Sequence, residues 1–113
     1  MPAQIVRLAG LVPVTFQEIV LTNSTAVGFN STARTAIGRS MVADISVETT
    51  DVRYRFDSTG PLSTTGVIMQ KDTLYRWEGF DGTGSLANLK FIGDGGAAAV
   101  VSFQFWKYQG SDT

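Results

Sequence analysis

The chain has no cysteine and no histidine, and each absence closes off chemistry. Without cysteine there are no disulfides, thiolate metal sites, iron–sulfur clusters or thiol nucleophiles. Without histidine the commonest general base, the Ser–His–Asp triad and most transition-metal sites go too. An enzyme built here would have to work with carboxylates, lysine, tyrosine or hydroxyls alone. Charge of one sign is also scarce: nine Lys+Arg against ten Asp+Glu leave a net charge of -1. The basic surface of a small nucleic-acid binder is therefore missing. No apolar run approaches the ~20 residues that cross a bilayer. Arg7 is the only early basic side chain and Pro13 breaks the apolar stretch 8–14, so the N-terminus does not read as a secretory signal. The expectation is a soluble, non-enzymatic chain with no catalytic residue, cofactor or metal, and with neither nucleic acid nor membrane as partner.

What is present points to one β-rich domain. A length of 113 residues suits a single core, and 43% hydrophobic with 11% aromatic residues is too apolar for a disordered chain. Met41, Ala43, Ile45 and Val47 alternate with polar neighbours, and Val52, Tyr54 and Phe56 oppose Arg53, Arg55 and Asp57, both at the period of a half-buried strand. Residues 66–70 and 74–80 form further short runs. Residues 97–108 are the longest, with Val101, Phe103 and Phe105 in strict alternation. Glycine, proline and aspartate punctuate the chain at 57–61, 81–85 and 93–96, as turns between strands require. Short strands at such spacing predict a β-sandwich or small barrel. The predicted core is Met41, Ala43, Ile45, Val47, Val52, Tyr54, Phe56, Ile68, Leu89, Phe91, Val101, Phe103 and Phe105. In the first third, 12–21 is strand-like but slips phase, and a bulge near Gln17 and Glu18 would repair it. Residues 1–11 carry no period and read as an extended arm, leaving 12–113 as the domain. The tetrad NSTA at 23–26 recurs at 30–33, a spacing far below that of repeat architectures.

The candidate sites are few. Residues 82–87 (GTGSLA) match a dinucleotide-binding pattern that has meaning only between a strand and a full helix, and here it reads as a glycine loop. Asp44 and Glu48 share a strand face about 13 Å apart, too wide for a glycosidase pair, although Glu48 with Glu78 stays open. Asp81 and Asp94 lie in glycine loops without the ligand spacing of a Ca²⁺ site. Arg53 and Arg55 fall on one face about 7 Å apart; they form either a solvated face paired with Asp51, Asp57 or Glu78, or a bidentate reader of partner carboxylates. Trp106 and Tyr108 fall opposite Phe103 and Phe105, on the polar face of the last strand, as interface or sugar-stacking aromatics. Ile5, Val6, Leu8 and Leu11 make the arm apolar enough to bind another chain.

The middle of the chain resembles a known family. Residues 43–57 (ADISVETTDVRYRFD), followed by STGP and by LSTTGVIM up to Met69, resemble small virion proteins of tailed phages. Residues 22–30 (TNSTAVGFN) and 86–92 (LANLKFI) fit the same pattern. The likeness, spanning about residues 20–105, is to the capsid decoration (cement) proteins of epsilon15-like podophages, which this block resembles. It implies an all-β, jelly-roll-like β-sandwich with an extended N-terminal arm, a viral structural protein on the outer capsid surface of the virion, made in the host cytoplasm. Its partner would be the assembled major capsid protein, stabilised against internal DNA pressure, and the protein itself a homo-oligomer, a dimer ahead of a trimer. The partner-binding residues expected are Ile5, Val6, Leu8, Leu11, Arg53, Arg55, Trp106 and Tyr108. The alternative is a carbohydrate-binding β-sandwich module on a virion surface, using Trp106, Tyr108 or Trp77 as its platform.

Overall fold

A computed structural model describes residues 10–22, 25–56, 61, 64–82, 84 and 86–109. Its strands are β1 (Leu11–Leu21), β2 (Val27–Gly28), β3 (Val42–Glu48), β4 (Val52–Arg55), β5 (Val67–Met69), β6 (Leu74–Glu78), β7 (Lys90–Gly93) and β8 (Ala99–Tyr108), with a helix α1 (Ser31–Ile37) between β2 and β3. They form two four-stranded sheets, ordered β1-β8-β3-β6 and β2-β7-β4-β5. Every pairing within them is antiparallel. The expected all-β sandwich is this pair of packed sheets.

Period-two alternation builds the core. Ile45 stands across from Phe103, Ala43 from Phe105 and Val47 from Val101, and all six are buried. Tyr54 stands across from Phe91 on the facing sheet. Phe103 and Phe105 stack at 5.5 Å with nearly parallel rings. Phe29, which follows β2, plugs the gap between the sheets, meeting Phe91, Phe103 and Phe105 edge-on at 6.3, 5.1 and 5.9 Å. Edge-to-face contact suits the ring quadrupole, negative on its face and positive at its rim.

Four expectations need correction. Ile68 is 43% exposed, because it pairs with outward-facing Arg53 while Met69, opposite Val52, takes the core position. Phe56 is 45% exposed; β4 ends at Arg55, so its ring lies at the sandwich rim against Tyr54 and Trp77. Met41 is only half-buried and precedes β3. The bulge in β1 falls between Pro13 and Thr15, not at Gln17 and Glu18. Skipping Val14 in the ladder turns Ile19 and Leu21 inward and leaves Phe16 and Val20 outside. The bulge follows proline because proline has no N–H to give the ladder.

The helix was not expected. Asn30 caps α1 with its side chain accepting the Ala33 N–H at 2.8 Å, and Gly38 closes it at φ 56°. Ile37 is its one buried residue. The second NSTA tetrad is thus a helix start, with asparagine satisfying an otherwise orphaned N–H.

Candidate functional site

Strand alternation places half of each strand in the β1-β8-β3-β6 sheet on an outer face. Across it run two rows, Pro13–Trp106–Val42–Glu78 and Phe16–Gln104–Asp44–Arg76. A third joins Glu18, Ser102, Ser46 and Leu74. Asp44 is the hub. Its Oδ1 accepts from Arg76 Nε at 2.7 Å, and its Oδ2 accepts from Arg76 Nη2 at 2.9 Å and from Trp106 Nε1 at 2.9 Å. The fork-on-fork geometry is the strong form of this ion pair, and both side chains are only 25% exposed. The carboxylate bond, outweighing partial burial, raises the Arg76 pKa above its already high ordinary value. The Trp106 indole is therefore tied by its N–H into a polar network. Around this fixed centre Phe16, Val20, Leu74 and Tyr108 are 56%, 54%, 43% and 39% exposed. Rigid polar groups ringed by accessible apolar side chains make a surface suited to a protein partner.

The expected partner-binding residues divide between two sides. Trp106 and Tyr108 lie on this outer face, and Leu11, in β1, stands directly across from Tyr108. Ile5, Val6 and Leu8 lie outside the described residues. Arg53 and Arg55 share the outer face of the opposite sheet, across from Ile92 and Lys90. Arg53 donates through Nε to Asp94 Oδ1 at 2.7 Å and through Nη1 to Gly66 O at 3.3 Å. Its partner is thus Asp94 rather than Asp51, whose carboxylate accepts the Lys71 N–H at 2.9 Å. The alternation was legible in the sequence; the pairing, across 41 residues of chain, was not.

Carboxylates do not converge. Glu48 stands opposite Val100, whereas Glu78 stands opposite Val42 at the other end of β3, roughly 20 Å away at the rise of a strand. Among the described residues no three acidic side chains gather as a metal site would need. Asp81 accepts the Gly84 N–H, a local turn bond.

Sequence reasoning missed one feature, a cleft of about 380 Å³ lined by Tyr54, Phe56, Arg76, Trp77, Glu78, Phe80 and Leu86. Tyr54, Phe56 and Trp77 meet pairwise at 5.3 to 5.7 Å. Burial, and secondarily the neighbouring Tyr75 hydroxyl, raise the Tyr54 pKa, so this phenol stays protonated further into alkali. The signal was Phe56 and Trp77 each alternating with charged neighbours; which edge they would share depends on sheet order, which alternation does not encode.

Compared with known protein families, curated proteins and solved structures, the chain matches none.

Proposed function

We propose that this domain is a capsid decoration (cement) protein, a non-enzymatic virion component that binds the assembled major capsid protein on the outer surface of a phage head. The observation that carries the reading is the strand order. Neighbours in the two packed sheets include β1·β8, β3·β6, β2·β7 and β4·β5, which supports reading this β-sandwich as a double-sheet jelly roll, an architecture that serves viral capsid and lectin domains. The sequence block resembling podophage cement proteins, 43–69, covers β3, β4 and β5 and so contributes to both sheets.

The binding surface is the outer face of β1-β8-β3-β6. Leu11, the first residue of β1, stands across from Tyr108 on that face, and Ile5, Val6 and Leu8 are taken as further contacts on the sequence argument alone. Arg53 is already engaged by Asp94 and by Gly66 O, which places Arg53 and Arg55 as a second, weaker contact. A cement protein stabilises a lattice only by binding the assembled geometry more tightly than free subunits, since equal affinity shifts nothing. Repetition on a symmetric shell allows each contact to be modest.

The test is a pull-down of the protein against assembled heads and against free capsid subunits, with Phe16→Asp as the comparison. Phe16 is exposed, so the substitution spares the core. Capture by heads, weak capture by subunits and loss of capture with Phe16→Asp are expected. Equal capture by both forms, or none by heads, would overturn the reading.

The aromatic cleft favours a second reading, a carbohydrate-binding module, since 380 Å³ suits a small ligand and flat rings stack on sugar faces. Glycan-array binding lost on Trp77→Ala, with heads ignored, would support it over the first.

A further inference from the structure

Sheet edges expose backbone groups that natural chains blunt with proline, bulges or short strands. At one end of its sheet β1 carries Pro13 and a bulge, and β5 is three residues long. β6 (Leu74–Glu78) has neither proline nor bulge, and it ends its sheet, pairing with β3 alone. Its ladder phase is fixed by the Gly79 N–H, which donates to Met41 O at 2.8 Å. Gly79, Trp77 and Tyr75 thus bond toward β3, and the backbone groups of Leu74, Arg76 and Glu78 point away from the sheet. Among the described residues no strand meets them.

We propose that this edge is the self-association surface of the protein, with β6 of a second copy adding antiparallel across a two-fold axis at Trp77. Charge selects the register. Several registers let outward-pointing groups face each other. Those centred on Arg76 or Glu78 set like charges opposite each other, and those centred on Leu74 or Tyr75 pair no two charged residues of β6. The one with Trp77 on the axis sets Arg76 opposite the partner's Glu78 at both ends. Like charges directly opposite destabilise a strand pair and opposite charges stabilise it, so charge favours the last, which is symmetric about its axis as a two-fold interface must be. Asp44 takes Nε and one Nη2 proton of Arg76, and a guanidinium carries five N–H donors, so further donors remain for the partner's Glu78. The register supplies about four backbone hydrogen bonds. It also sets the two Trp77 rings across the axis, joining the clefts that hold Tyr54 and Phe56, the latter 45% exposed. The two sheets become one of eight strands. This inference stands on the edge geometry alone and does not depend on the capsid reading.

The test needs only the purified chain. Sedimentation equilibrium should find a dimer in concentration-dependent exchange with monomer. Glu78→Lys sets two cations opposite each other at both ends of the pair, and should raise the dissociation constant at least about tenfold. Glu78→Pro removes an outward N–H that β3 does not use, and should leave a folded monomer. Because the chain has no cysteine, Trp77→Cys gives one thiol on the axis, where a non-hydrogen-bonded pair sits within disulfide reach; mild oxidation should yield a covalent dimer. Leu74→Cys, off the axis, should not cross-link. A monomeric wild type, or a dimer indifferent to both Glu78 variants, would overturn the proposal. Should Trp77→Cys fail to fold, the two exposed Glu78 variants, checked by circular dichroism, decide alone.

Discussion

Phe103 is fully buried and touches the rings of Phe29, Trp77, Phe91 and Phe105. Truncating it opens a cavity bounded by rings from both sheets that cannot collapse without moving the sheets together. Phe103→Ala should therefore cost about 3–5 kcal/mol, measured by urea titration; under about 1 kcal/mol would mean the ring is not where the packing puts it. Tyr54 gives a second prediction. Its pKa is raised in the fold, by burial first, so the native state holds its proton after an unfolded tyrosine has lost one. That contribution to stability is complete below the ordinary tyrosine pKa of about 10 and is lost as pH rises through the folded value. Thermal midpoints should fall over this alkaline range, and Tyr54→Phe should flatten the fall. An identical alkaline limb in the variant would remove Tyr54 as its cause. At this scale the sequence read Phe103 and Phe105 correctly, because strict alternation in a long strand leaves one choice of face. It misplaced Ile68, because a run of three apolar residues offers no contrast to set the phase of β5.

Elements differ in how much local sequence defines them. β3 and β8 are regular, and their registers follow from matched alternation. α1 is seven residues long, too short to show a 3.6-residue period and too short to be stable alone. What defines it is chemistry at its ends, Asn30 before it and Gly38 after it, a pairing that marks helix boundaries but was read as part of a repeated tetrad. Asn30→Ala removes the acceptor for the Ala33 N–H and should destabilise the domain by about 1 kcal/mol. Hydrogen exchange should quicken in 31–37 while β3 and β8 keep their protection. Uniform loss of protection would instead mean that the helix and the sheets unfold as one unit. β1 teaches a related lesson. A phase slip in its alternation did signal a bulge, but alternation alone could not locate it; the proline that cannot donate to β8 did.

For the whole molecule, two packed sheets leave two outer faces and several edges, and function depends on which of these a partner covers. The sequence identified Trp106 and Tyr108 as misplaced aromatics on a polar face, and identified Arg53 and Arg55 as neighbours. That they lie on opposite sides of the sandwich follows only from sheet order, a product of contacts between distant segments. The exposed ring of Phe16, Val20, Leu74 and Tyr108 therefore carries the final prediction. If the arm and this face together grip a shell, removing residues 1–9 should leave the thermal midpoint of the isolated domain nearly unchanged, because their sequence carries no alternating pattern that would build them into a sheet. The same truncation should weaken attachment to heads. Heads stripped of the protein should rupture at lower temperature or on chelation, the full chain should restore them, and the truncated chain should restore them only at higher concentration. This graded rescue follows from avidity: many weakened contacts on one lattice still add, but each needs more free protein to fill its sites. Truncation that unfolds the domain would place the arm in its core. Heads equally robust with and without the protein would end the cement reading and leave the aromatic cleft as the site to pursue.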